Sequence, residues 1–159
     1  MRIRITLLVL VFASAGLAAQ EKAKDGNGQL VREALAAWTA HDAEKVVNCY
    51  TEDVVYEDVA YGAINRGRAE LRKFAEGFIE AVPDLKLEAT SIYVHNGRGH
   101  VEWVLSGTDK GLYKTGKKFS VRGASVFEMR GNRFSSNKDF YDLATIMRQV
   151  GVLTAEKPN

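Results

Sequence analysis

Cysteine is almost absent from this sequence: Cys49 is the only one among 159 residues. No intrachain disulfide can form, and no thiolate metal cluster can be assembled. Cys49 lies among Val46, Val47 and Tyr50 in an amphipathic helical pattern, which reads as a buried structural thiol. Histidine is nearly as scarce. His41, His95 and His100 are scattered without metal-ligand spacing, so no metal is expected. Charge of one sign is missing too. The formal net charge of +2 comes from Arg2 and Arg4; without them 20 basic residues balance 20 acidic ones. A neutral chain offers no electrostatic case for nucleic acid or an anionic membrane. The one local basic stretch, Lys110, Lys114, Lys117 and Lys118, reads as a solvated loop between strands. Internal repeats, low-complexity segments and signs of a second domain are also lacking.

A long apolar run is missing as well. Ile5 to Leu17 is uncharged and mostly apolar, but falls short of the about 20 residues that span a bilayer. Met1-Arg2-Ile3-Arg4 precedes it, and the small residues Gly16, Ala18 and Ala19 end it. That is the layout of a secretory signal peptide cleaved after Ala18, the alternative being an uncleaved anchor. No cysteine stands near the cleavage point to be lipidated. Cleavage leaves about 140 residues, the size of one domain with one core. The expected location is the periplasm or the medium, with no membrane association afterwards. Residues 1–18 therefore read as leader, 19–28 as flexible linker, 29–153 as the domain and 154–159 as a polar tail.

The helical spacing of Leu30, Ala34, Leu35 and Trp38 predicts a first helix over 29–40. Asp42 can cap a second helix that runs to about Tyr50. Val54-Val55-Tyr56 opens a strand ending near Asp58, and 60–65, with Gly62, reads as a loop. A third helix starts near Arg68, carries Leu71, Phe74, Ala75, Phe78 and Val82 on one side, and stops at Pro83. Four strand-like stretches follow, over 85–95, 101–108, 119–129 and 134–141. Asn96-Gly97 and Gly131-Asn132 mark hairpins, and 109–117 is a longer connection. A short helix over 144–150 stops at Gly151. Helices collected early and strands late give the α+β class, with the helices on one face of a curved sheet.

Several local phrases occur in a telling order. They are His41-Asp42-Ala43-Glu44-Lys45-Val46-Val47 between helices, and Tyr50-Thr51-Glu52-Asp53-Val54-Val55-Tyr56-Glu57-Asp58 at the first strand. Asn65-Arg66-Gly67-Arg68-Ala69-Glu70-Leu71 opens the third helix. Lys138-Asp139-Phe140-Tyr141-Asp142-Leu143, then Arg148-Gln149-Val150-Gly151, end the domain. In order and spacing they resemble the SnoaL-like polyketide cyclases of the nuclear transport factor 2-like superfamily, which also holds ketosteroid isomerases and limonene epoxide hydrolases. The resemblance covers 29–153. It implies a cone-shaped, curved mixed β-sheet packed against three N-terminal helices and enclosing a pocket. It also implies a homodimer formed through the outer sheet face, and chemistry without a cofactor.

Strand alternation selects the pocket face. Tyr56 and Asp58 share a side, as do Val121, Gly123, Ser125 and Phe127, and Asn137, Asp139 and Tyr141. Small residues at Gly123 and Ser125 would leave room for a ligand. Trp38, Phe74, Phe78 and Trp103, with Leu35, would wall it, or simply fill the core. Asp58 stands where the resemblance places the isomerases' general base, and Asp139 where it places the catalytic aspartate of the epoxide hydrolases and cyclases. A carboxyl in an apolar cavity resists ionisation and can exchange protons near neutral pH. Asp139 would oppose Asp58 across the cone. The bland alternatives are a turn-forming Asp58 and an Asp139 ion-paired with Lys138 or Arg133.

The sequence departs from every relative with a known mechanism. Ser125 lies where the cyclases carry a histidine. Ala34 and Ala124 lie at the isomerases' oxyanion positions. Trp103 and Leu105 lie near the epoxide hydrolases' arginine and aspartate. Tyr56 and Tyr61 could supply phenolic hydrogen bonds instead; Arg122 faces outward on strict alternation and would turn inward only at a strand irregularity. Three functions remain open: a cyclase, isomerase or hydrolase using Asp139 and Asp58 on an apolar, polycyclic or terpenoid-like molecule; a non-catalytic small-ligand-binding protein outside the cytoplasm; and an interaction module whose cavity is only core. Two aspartates on one open cavity would favour the first. Mass spectrometry of protein from the host's periplasm or medium should find a chain beginning at Ala19. An intact Met1-Arg2 terminus there contradicts cleavage.

Overall fold

The computed structural model describes residues 28–154; the leader, nearly all of the linker and residues 155–159 of the tail lie outside the described residues. The first helix, α1, spans 28–39 and buries Leu30, Val31, Ala34, Leu35 and Trp38 on one stripe. His41, in a left-handed backbone conformation (φ 56°), ends it. Asp42 then caps α2 (Ala43–Asn48), its carboxylate accepting the N–H of Lys45 at 2.9 Å. This helix is shorter than the sequence suggests. Tyr50 does not close it but opens strand β1 (Tyr50–Asp58), because the chain turns at Cys49 to bury the Tyr50 ring under the sheet. Cys49 is indeed a buried thiol, and burial pushes it up to about 11.

The stretch after β1 corrects the sequence reading. It is not all loop: Ala63–Arg66 forms β2, an edge strand antiparallel to Val55–Asp58. Its four residues carry too little alternation to announce a strand, and pairing with β1 makes them one. Helix α3 (Gly67–Ala81) follows, with Leu71 and Ala75 fully buried and Val82 closing its end ahead of Pro83. Arg68 ties it to β1, donating to the Tyr50 carbonyl at 2.8 Å and pairing with Glu52 at 2.7 Å.

Strands β3 (Lys86–His95) and β4 (Arg98–Thr108) form the hairpin expected at Asn96-Gly97. Both turn residues have positive φ (48° and 72°), as a two-residue primed turn requires. The 109–117 connection is built around Asp109. That carboxylate is fully buried and accepts the N–H groups of Tyr113, Lys114 and Thr115 and the Thr115 hydroxyl. Lys110, Lys114 and Lys117 are exposed on this loop, while Lys118 already belongs to β5 (Lys118–Met129). Strand β6 (Phe134–Tyr141) follows, and Asp142 caps α4 (Leu143–Val150), which ends at Gly151 with φ 81°.

Among the described residues, six strands form one curved, unclosed sheet in the order β2-β1-β6-β5-β4-β3. Every pairing is antiparallel except β1 with β6, which is parallel. The sheet is mixed, as expected, and its inner face closes on α1 and α3. Trp38 meets Phe74 and Phe78 edge-on, with centroids 6.3 and 6.2 Å apart. The outer face is solvent-exposed and carries Tyr93, Val126 and Phe140.

Gly123 does not leave room for a ligand. Its cross-strand partner is Trp103, whose ring lies where a Gly123 side chain would be. A Cβ there would also sit 2.7 Å from the Phe140 carbonyl oxygen. Gly123→Ala should therefore destabilise the domain by about 1–3 kcal/mol, the cost of overpacking a filled core. Urea denaturation followed by circular dichroism measures it. An unchanged midpoint would mean that Trp103 moves aside freely.

Candidate functional site

The parallel pairing of β1 with β6 sets the site. Asp58 lies beside Asp139 in register, and Tyr56 beside Asn137. On the other side of β6, Asp139 pairs with Ser125 of β5, and Tyr141 with Gly123. All the named side chains project to the inner face, where alternation puts them. The two aspartates are thus neighbours on adjacent strands; they do not oppose one another across the cone, since a parallel ladder brings equivalent inward positions side by side. They border one cavity, lined also by Tyr56, Ser125, Asn137 and Tyr141.

Asp139 accepts three hydrogen bonds. Ser125 Oγ donates to Oδ1 at 2.6 Å, Asn137 Nδ2 donates to Oδ1 at 2.7 Å, and the Tyr56 hydroxyl donates to Oδ2. Neither alternative ion pair forms. Lys138 pairs with Glu57 at 3.0 Å, and Arg133 donates to the Asn48 carbonyl. Burial is the largest influence on the Asp139 carboxyl and pushes it above the ordinary carboxylate range, against the pull of its three donors; the charge of Asp58 adds to the rise. Asp139 keeps accessible surface, and it borders the cavity.

Asp58 is 5 % exposed; it both shapes a turn and borders the cavity. Oδ1 accepts the N–H of Tyr61 at 3.0 Å, which shapes the β1–β2 turn, while Oδ2 accepts the Tyr141 hydroxyl at 2.9 Å. Burial raises its carboxyl too, and the turn N–H and Tyr141 work against that rise. Tyr56 and Tyr141 are themselves held protonated, first by burial and then by the neighbouring aspartates. Each aspartate therefore has a tyrosine hydroxyl as partner.

The remaining wall is apolar and aromatic. Trp38, Phe74, Phe78 and Trp103 line the cavity, as does Leu35. Trp103 also has a polar role: its Nε1–H donates to Ser125 Oγ at 2.9 Å. Tyr61 is not in the lining. Its ring is exposed, with its hydroxyl 3.5 Å from that of Tyr113, and only its backbone N–H serves the site. Arg122 is exposed on the outer face, as strict alternation requires, and Ala124 follows the outer row while Ala34 lines the cavity. Among the described residues, no lysine, arginine or histidine borders the cavity. The free volume of the cavity is about 70 Å³. That holds several waters or a small ligand. A polycyclic molecule needs more room than this.

Three polar lining residues escaped selection from sequence: Tyr50, Asn137 and Tyr141. Alternation already placed Asn137 and Tyr141 on the face of Asp139. Nothing local singled them out, because Tyr141 takes its importance from Asp58 on β1 and Asn137 from the buried setting of Asp139.

A SnoaL-like domain model matches residues 31–137. Cyclase aurE of Calcarisporium arbuscula is 30 % identical over 87 residues, which are 55 % of this chain and 64 % of that protein. The chain thus spans less than two thirds of this curated relative. A protein from Catenulispora acidiphila DSM 44928 with a ketosteroid isomerase-like fold, solved in complex with trimethylamine, superposes with a TM-score of 0.72 at 25 % identity, covering 79 % of this chain and 97 % of its own. A protein from Jannaschia sp. CCS1 assigned to the SnoaL-like polyketide cyclases gives 0.73 at 14 % identity, covering 82 % and 95 %, which speaks for the fold alone. With the model matched over more than half its length, and with the cone fold, this chain belongs to the SnoaL-like domain family.

Proposed function

We propose that the cavity is the active site of a SnoaL-like enzyme of the cyclase, isomerase or hydrolase kind, acting without a cofactor on a small, largely apolar molecule. The observation that carries this reading is the shared cavity of Asp139 and Asp58. An interaction module has no use for two carboxyls desolvated in its core, since burying such groups costs stability.

The chemistry follows from the environments. As an anion, Asp139 takes a proton from a carbon acid or from water; as a neutral acid, it returns one to an enolate or alkoxide. Its upward shift brings the two forms closer in population near neutral pH. Tyr56 and Tyr141 hold protons that negative charge on a ligand oxygen would attract. The aromatic wall binds the apolar body and excludes water, which strengthens each polar contact. With no cation in the lining, a neutral ligand suits the site better than a carboxylate or phosphate. The likeness to cyclase aurE supports ring closure as the reaction class, and the leader-like pattern of residues 1–18 supports action outside the cytoplasm. Pairing of two copies through the outer face, with its Tyr93, Val126 and Phe140, belongs to the same proposal.

Asp139→Asn should lower turnover on a substrate found by screening by about a hundred- to ten-thousand-fold, with a smaller loss of affinity. A binding protein would show changed affinity and no turnover to lose. Stability provides a second measure. A carboxyl raised on folding contributes stability in full below its unfolded value of about 3.9, and that contribution is lost as pH rises through the folded value. Thermal denaturation should therefore find Asp139→Asn gaining on the native protein as pH rises from about 4 towards neutrality. A stability gap independent of pH would contradict the raised carboxyl.

A further inference from the structure

The hydrogen bonds around Asp139 have fixed and reversible members. An indole N–H can only donate. Trp103 Nε1 donates to Ser125 Oγ at 2.9 Å, and Ser125 Oγ lies 2.6 Å from Asp139 Oδ1. A serine hydroxyl has one proton. With Trp103 supplying a proton from one side, the hydroxyl proton of Ser125 points to Oδ1. Asn137 Nδ2 lies 2.7 Å from the same oxygen, and turning that amide over would set two acceptors against each other. Oδ1 thus faces two donors, and an acid proton on Oδ1 would oblige one of them, Ser125 or Asn137, to turn away and accept instead. Oδ2 meets only the Tyr56 hydroxyl, which can either donate or accept.

We infer that Trp103 and Ser125 act as positioning residues that hold the exchangeable proton of Asp139 on Oδ2, against Tyr56. In the anion, Tyr56 donates to Oδ2. In the acid, the Oδ2 proton is directed at the Tyr56 oxygen, and the phenolic proton rotates into the cavity to meet a ligand oxygen. One proton is exchanged and no bond is left unbalanced. The glycine at 123 belongs to the device, since any side chain there would displace the Trp103 ring. The other titratable groups facing Asp139 are Tyr50, Tyr56 and Asp58 from β1 and Tyr141 from its own strand; β4, β5, α1 and α3 bring none to the cavity. The catalytic meaning of this device rests on the acid–base reading above, whereas its existence does not.

The test is a carbon-13 NMR titration of the aspartate carboxyls in the folded protein, with the Asp139 signal assigned through Asp139→Asn. Ser125→Ala removes a donor that bonds the anion more strongly than the acid and should raise the Asp139 midpoint by about one pH unit. Ser125→Thr keeps the hydroxyl and should restore the native midpoint. Replacing Trp103 by benzothienylalanine keeps the bicyclic ring but substitutes sulfur for the N–H. Ser125 then loses the N–H that polarises its hydroxyl and donates more weakly to the anion, so the midpoint should rise by up to about one unit. In the Ser125→Ala background the same replacement should add nothing, as for two members of one chain. A midpoint unmoved by Ser125→Ala or by benzothienylalanine, or shifts that add in full, would overturn the inference. None of these readings requires a substrate, so they stand or fall separately from the enzymatic proposal.

Discussion

The site depends on one piece of backbone geometry, the parallel ladder between β1 and β6. Antiparallel hairpins alone could build the right half of the sheet from β6 to β3. They could not bring Asp58 into register with Asp139, because those strands are separated by the whole of α3 and four further strands. The parallel pairing sets two inward carboxyls side by side on an otherwise apolar face. Their mutual repulsion and desolvation must then be offset locally. The Tyr56, Tyr141, Ser125 and Asn137 side chains and the Tyr61 backbone N–H do so. These offsets are incomplete, since burial still outweighs them at both aspartates.

The rest of the fold can be understood as holding that arrangement dry. Helices α1 and α3 lay Trp38, Phe74 and Phe78 over the inner face, and their edge-on contacts fill most of the space between helices and sheet. The free volume that remains is bordered by the polar cluster and by this aromatic wall. Trp103 closes the wall from β4 while its N–H enters the hydrogen-bond chain, so one side chain both packs and orients.

Local chemistry was readable in the sequence wherever a few adjacent residues decide the outcome. The Asn96-Gly97 turn, the Asp42 cap, the stop at Gly151 and the inward face of β6 are of this kind. Each depends on a backbone preference or on alternation within one strand. What lay beyond reading depends on partners distant in the chain. β2 exists because β1 accepts it, and Tyr50 enters a strand because its ring finds the core. Asp58 and Asp139 were both legible as candidates, yet their adjacency follows from a ladder that no local pattern announces. Gly123 is the sharpest case. Its smallness suggested empty space, but the cross-strand register assigns that space to Trp103. Asn137 and Tyr141 were on the right face, but only their partners give them work.

The central claim is that Asp139 moves a proton between the cavity and a bound carbon acid. Deuterium uptake tests it most directly. Small cyclic ketones and 1,3-diketones would be incubated with the protein in deuterated buffer and followed by proton NMR. The account predicts exchange at the acidic carbon above the buffer rate, with an acid limb above the ordinary carboxylate range and loss of the excess in Asp139→Asn. Exchange at the buffer rate across the panel, or equal excess exchange by the Asn variant, would contradict it.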